Sequence, residues 1–285
     1  MDWSQMQLRV GAVSYLNSKP LIEGLPNVLP DADLSLDVPS RLADALGTDD
    51  LDVALIPSIE AFQRPNYEVI SDACVATHGP VLSVRLFCRV HPGEIRTLAL
   101  DEGSRTSVAL TRIMLAERYG VTPETELLAL DRTIQETTAD AILLIGDRAI
   151  HEPPEAFHTV WDLGQEWLDW TGLPFVFAMW VTRQGTKLSG VDAALRQARD
   201  RGLERIPEIA AEWGPKIGIS PETATSYLTR NLFFRMRSAE RSGLRLFHEL
   251  AVKNDLVPNE SELRFREPTP IRSRREEPAS VCGTA

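Results

Sequence analysis

The sequence predicts an α/β protein built as a two-lobed clamshell with a helical C-terminal segment. Three observations carry this. Short β-branched runs alternate with helical stretches through the first half, which is the pattern of parallel βαβ units. Two long extended runs, residues 81–90 and 175–182, separate one such alternation from a second. From residue 191 the apolar spacing is helical, with candidates over 191–201, 207–213, 221–232 and 239–253. Such a chain leaves one lobe, builds another and returns. The expected partition is 1–85 for the first part of lobe one and 86–175 for lobe two. Residues 176–260 then bring the chain back to complete lobe one, and 261–285 form a disordered tail rich in Pro, Arg and Glu.

Each element has a local reason. Residues 8–13 read as a strand and 18–24 as a short helix opened by Asn17, with Pro20 in its first turn. Residues 34–38 form a second strand, and Pro39-Ser40 starts a helix carrying Leu42, Ala45 and Leu46. Residues 53–56 are a buried third strand, Pro57-Ser58 another helix start, and 67–70 continue the sheet. In the second lobe, strands are expected at 97–100, 126–129, 141–145 and 159–162, with a helix over 106–119. A cleft would lie between the lobes, where strand C-termini and helix N-termini face each other.

Composition narrows the function. The 285 residues are 43% hydrophobic, too apolar for a disordered chain, yet no apolar run approaches the ~20 residues of a membrane helix. A net charge of −11 repels nucleic-acid phosphates and anionic lipid alike, so neither nucleic acid nor membrane is an expected partner. A small anion would have to be held by local groups. The first residues carry no basic segment followed by an apolar one, so a cytoplasmic location is expected. Cys74, Cys88 and Cys282 lack CxxC spacing and read as free thiols, and the five histidines form no i, i+4 ligand pair; no metal is expected.

Two strand-to-helix junctions concentrate polar groups. Residues 10–20 run from an apolar strand into Ser14, Tyr15, Asn17 and Ser18. There Asn17 either caps the helix or, with nearby N–H donors, faces an anion or hydroxyl. Residues 100–107 repeat the design. Gly103 permits a tight turn, and Ser104, Thr106 and Ser107 either cap the helix or hold a carboxylate without a lysine. Ser58 and Gly146-Asp147 stand at further strand ends, where Asp147 could cap the next helix. In the first extended run Ser83, Arg85 and Phe87 share a face, and Arg85 either balances a carboxylate or is ion-paired at the surface. His78 precedes the first crossing, Trp167, Trp170 and Trp180 flank the second as core or cleft wall, and neither a nucleophile elbow nor a P-loop is present.

Five motifs in order, residues 13–21 (VSYLNSKPL), 54–58 (ALIPS), 104–107 (SRTS), 144–147 (LIGD) and 171–175 (TGLPF), resemble the chorismate dehydratase family of the futalosine route to menaquinone. The resemblance covers about residues 8–255. A sister family, which forms 1,4-dihydroxy-6-naphthoate, opens instead with a Cys-Pro-Asn-Asp-Thr type of motif. The resemblance implies a type II periplasmic-binding-protein-like fold without cofactor, and a lyase that converts chorismate to 3-[(1-carboxyvinyl)oxy]benzoate and water. On it, Asn17 is expected to hydrogen-bond the reacting part of the substrate. Tyr15, Ser58, Ser83, Arg85, Ser104, Thr106, Ser107 and Gly146 are expected to bind substrate, with Ser83, Thr106 and Ser107 on its carboxylates. The rival readings are a non-catalytic solute-binding protein for a small carboxylate, the sister enzyme, and a transcription regulator's effector domain. The last lacks a helix-turn-helix and the positive charge it would need.

Overall fold

The structure, a computed structural model, describes residues 7–266. The first lobe opens with β1 (Arg9–Val13), a 3₁₀ turn (Leu16–Ser18), α1 (Lys19–Ile22), α2 (Leu25–Val28), β2 (Asp33–Asp37), α3 (Pro39–Gly47), β3 (Val53–Pro57), α4 (Glu60–Gln63) and β4 (Tyr67–Thr77). The second contains β5 (Val84–Cys88), β6 (Thr97–Asp101), α5 (Thr106–Tyr119), β7 (Glu124–Leu128), β8 (Ala141–Ile145), β9 (Thr159–Asp162) and α6 (Leu163–Thr171). The chain then returns through β10 (Phe175–Arg183), α7 (Val191–Glu204), α8 (Ile206–Trp213), α9 (Pro221–Ser226), a π-helical turn (Tyr227–Asn231), β11 (Phe233–Arg235) and α10 (Ser238–Lys253).

The first sheet has the order β11-β4-β10-β3-β1-β2 and the second β7-β6-β8-β5-β9. In each, three parallel strands meet an antiparallel one that comes from or leads to the other lobe: β10 lies against β3 and β4, and β5 against β8 and β9. Every residue of β10 except Arg183 is buried, as a strand covered on both faces requires. Trp167 and Trp180 are fully buried core residues, and Trp167 meets Phe175 edge-on with ring centres 5.2 Å apart. Cys74 and Cys88 are buried free thiols, and burial pushes Cys88 up to about 12. Cys282 lies outside the described residues.

Several expected elements change where long-range contacts intervene. The run 81–90 is a strand only over Val84–Cys88. The half-buried Asp162 carboxylate accepts the N–H groups of Val81 (2.8 Å) and Leu82 (2.7 Å), folding that stretch into a turn with Leu82 at φ +65°. The same carboxylate caps α6, which sequence pattern missed, by accepting from Gly164 and Gln165. Pro57 ends β3 instead of starting a helix, and β4 runs eleven residues, not four. The helix expected over 221–232 stops at Ser226; beyond the π turn the chain becomes β11, paired with β4. Residues 261–266, placed with the tail by composition, lie against β4: the Val69 N–H donates to the Arg264 carbonyl (2.9 Å) and the Arg266 N–H to that of Val69 (2.8 Å).

Candidate active site

A cavity lies between the lobes, at the ends of the strands where such folds bind ligands. Lobe one supplies Val13, Tyr15, Asn17, Pro39, Pro57, Val75, Phe177 and Ala178; lobe two supplies Val84, Ser104, Arg105, Thr106, Ser107, Ile145 and Gly146. Both polar junctions singled out in the sequence therefore meet at one place, because each follows the C-terminal end of a parallel strand.

Their side chains do not cap helices. The turn at Leu16–Ser18 has no side-chain cap, and the buried Asn17 Oδ1 has no hydrogen-bond partner. A buried acceptor left unpaired costs about 1–3 kcal/mol, which a ligand donor would recover. Helix α5 likewise has no side-chain cap, so its first-turn N–H groups and the buried Ser104 and Ser107 border the cavity beside the positive end of a 14-residue helix. Thr106 works across the lobes: its Oγ1 accepts from the Ile59 N–H at 3.3 Å and lies 3.3 Å from Ser58 Oγ.

Tyr15 and Arg105 are the only titratable wall residues among those described. Burial, with help from nearby Asp101, pushes the Tyr15 phenol well above its ordinary value, so it stays neutral. Its ring lies on Gly146, where a Cβ would stand 2.7 Å from two ring carbons. Gly146 has φ +68° and ψ −155°, a conformation essentially restricted to glycine. Arg105 pairs with Asp44 (2.7 Å) and Glu60 (3.2 Å) of lobe one. The Leu16 N–H donates across the cleft to Asp147 Oδ1 (3.0 Å), so Asp147 bridges lobes instead of capping.

Buried Asp101, at the end of β6, ties the two lobe-two turns together. It accepts from Gly103 N–H (2.9 Å), Ile145 N–H (3.0 Å) and the Arg148 guanidinium (2.6 Å). Burial nevertheless leaves its carboxyl above the ordinary value, despite Arg148 and those N–H donors.

Three expected site residues stand off the cavity wall. Ser58 is fully buried and donates to the Val176 carbonyl (2.7 Å), which seats β10. Arg85, on β5 between β8 and β9, pairs with Glu152 (2.7 Å) and lies over Phe87, so its charge is already balanced away from the cavity wall. Ser83 precedes β5 and so does not share that face; its Oγ accepts from the Tyr227 hydroxyl (2.7 Å). His78 also stays off the wall, paired with Glu240 and stacked on Phe233 with centroids 3.9 Å apart. Sequence reasoning missed Tyr227 altogether, since nothing local marks a tyrosine 144 residues from its partner.

This fold and this interlobe cavity define a protein of the two-lobed, type II periplasmic-binding-protein-like class. It is similar to a crystal structure of an Archaeoglobus fulgidus protein, with a TM-score of 0.73 at 16% identity, covering 89% of this chain and 100% of that one. It is also similar to the periplasmic aliphatic sulphonate binding protein of Escherichia coli, with a TM-score of 0.63 at 16% identity, covering 99% and 98%. Residues 8–253 match the menaquinone biosynthesis family, and the chain is 32% identical over 231 residues to the chorismate dehydratase of Thermus thermophilus, covering 74% of this chain and 84% of the relative. The chain belongs to the chorismate dehydratase family.

Proposed function

We propose that this protein is a chorismate dehydratase of menaquinone biosynthesis, a lyase converting chorismate to 3-[(1-carboxyvinyl)oxy]benzoate and water in the cytoplasm. Beyond family membership, one observation supports it best. The cavity wall offers hydroxyls, a helix N-terminus, Arg105 and an unpartnered Asn17 oxygen, but among the described residues no carboxylate, histidine or lysine. That is a wall for positioning a carboxylated ring, not for supplying a strong base.

The chemistry asks for little more. A proton leaves the ring carbon bearing the ether, hydroxide leaves the neighbouring carbon, and together they make water and an aromatic ring. Ser104, Ser107 and the first-turn N–H groups of α5 hold a carboxylate, beside Arg105, whose charge Asp44 and Glu60 share. Asn17 hydrogen-bonds the reacting part of the ring through its open acceptor, and the neutral Tyr15 phenol covers one side of it. The substrate's own enolpyruvyl carboxylate takes the ring proton, since no wall residue with a pKa near neutrality stands ready to do so.

Incubating the purified protein with chorismate and separating the products by chromatography tests this. One equivalent of the enolpyruvyl benzoate per chorismate consumed is expected. Tight binding of chorismate without turnover would instead mark a solute-binding protein, and an inert mixture would exclude both.

A further inference from the structure

Tyr227 is completely buried, lies at the start of the π-helical turn Tyr227–Asn231 and does not border the cavity. Single widened turns of this kind recur at functional sites. For packing alone a phenylalanine would fill the same space. The hydroxyl instead meets two side chains that come from opposite ends of the site. It donates to Ser83 Oγ at 2.7 Å, and the Asn17 side chain lies beside it.

Both partners lead directly to the wall. Asn17 is part of it, with Oδ1 unpartnered. Ser83 precedes the wall residue Val84, and its carbonyl accepts from the N–H of the wall residue Gly146 at 2.9 Å. One buried phenol thus stands beside Asn17 on lobe one and is hydrogen-bonded, through Ser83, to Gly146 on lobe two.

We infer that Tyr227 is a positioning residue for the dehydration, fixing the Asn17 amide and the Ser83 segment in the arrangement that the reacting ring meets. The inference rests on the proposed dehydratase activity. Because the phenol spends its hydrogen on Ser83 Oγ, the Ser83 hydroxyl keeps its own proton to donate. Any loss of this arrangement would be felt in the chemical step more than in ground-state binding, since the groups that hold the carboxylates, on α5, are untouched.

Tyr227→Phe removes one oxygen and keeps the ring. The test measures steady-state dehydration and thermal unfolding of the full chain for wild type, Tyr227→Phe and Ser83→Ala. The expected result is a kcat about 10- to 100-fold below wild type for Tyr227→Phe, with KM within about threefold. In an Asn17→Ala background the same substitution should change kcat by less than about twofold, because the two act as a unit. A kcat within about threefold of wild type, or a change confined to KM or unfolding temperature, overturns the inference. If Tyr227→Phe does not fold, Ser83→Ala carries the same criterion. A wild type inert toward chorismate would instead defeat the dehydratase reading.

Discussion

Gly146→Ala is the sharpest perturbation of the closed cleft. The new Cβ would lie 2.7 Å from two carbons of the Tyr15 ring and 2.8 Å from a third. Ordinary carbon contacts are about 3.5–4.0 Å, so ring and turn must part by about 1 Å. The backbone adds its own cost, because φ +68° with ψ −155° strains any side-chain-bearing residue by about 1–3 kcal/mol. Overpacking of this severity costs about 1–3 kcal/mol more. The sum is a large fraction of a stability of about 5–15 kcal/mol.

Relief comes most easily by opening the cleft, since Tyr15 and Gly146 belong to different lobes. Opening also breaks the Leu16–Asp147 bond and moves Tyr15 off the cavity. Turnover should therefore suffer beyond stability, with kcat/KM falling about 100-fold or more while the chain stays folded. Gly120→Ala isolates the backbone part. Gly120 shares φ +68°, but nothing lies within 4 Å of its added Cβ, so it should cost about 1–2 kcal/mol and leave activity alone. Urea unfolding and steady-state dehydration of both variants decide the matter. If Gly146→Ala proved no worse than Gly120→Ala in both assays, the contact across the lobes would have no role in closure.

Asn17→Ala should lower kcat about 100-fold or more with only a small change in unfolding temperature, because the removed Oδ1 has no protein partner and only the neighbouring Tyr227 phenol is affected; calorimetry and turnover check this. Arg105→Gln should raise KM about tenfold, more than it lowers kcat, since it removes the cavity's cation and its two interlobe ion pairs. His78→Ala should keep most turnover but change acid stability. Burial alone would raise the Glu240 carboxyl, yet hydrogen bonds from its own N–H, His78 and the Arg237 N–H prevail and hold it below the ordinary 4.5. Its stabilisation is thus complete above pH 4.5 and lost as pH falls through the folded value; without His78 that loss should begin at higher pH in an acid-unfolding series. With a net charge of −11 facing a doubly negative substrate, kcat/KM should rise modestly as salt increases from about 10 to 150 mM, and a fall would mean that a basic funnel guides entry.

Elements governed by local pattern were legible. The strands Ala141–Ile145 and Thr159–Asp162 and the helix Thr106–Tyr119 match their expected bounds. The two polar junctions were legible for the same reason: an apolar strand that stops abruptly at Ser, Asn or Gly marks the strand end where such folds bind ligands. Depth was not legible. Its strand-end position placed Ser58 near the cleft, and period-two reasoning placed Ser83 there, but neither could show that Val176 and Tyr227 would engage their hydroxyls from behind. Arg85 had the right charge, but Glu152, 67 positions later, already neutralises it. The Asp162 clamp, which reshapes 81–82 and starts α6, joins segments about 80 residues apart, and no window of sequence contains both.

The groups that close the lobes and the groups that border the cavity are largely the same ones, and in the proposed mechanism this is what lets a binding-protein fold work as a catalyst without a strong base. Thr106 meets Ser58 and Ile59 while opening α5; Arg105 meets Asp44 and Glu60 while facing the cavity; Tyr15 lies on Gly146 while lining it. Closure and alignment of the ring therefore cannot be separated. Excluding water strengthens each hydrogen bond to the departing groups at the moment the geometry becomes reactive. A reaction whose product is aromatic needs no deep chemical push from the protein. Its barrier yields to fixed dipoles and exact placement, which two rigid strand-end turns supply when they are held against each other.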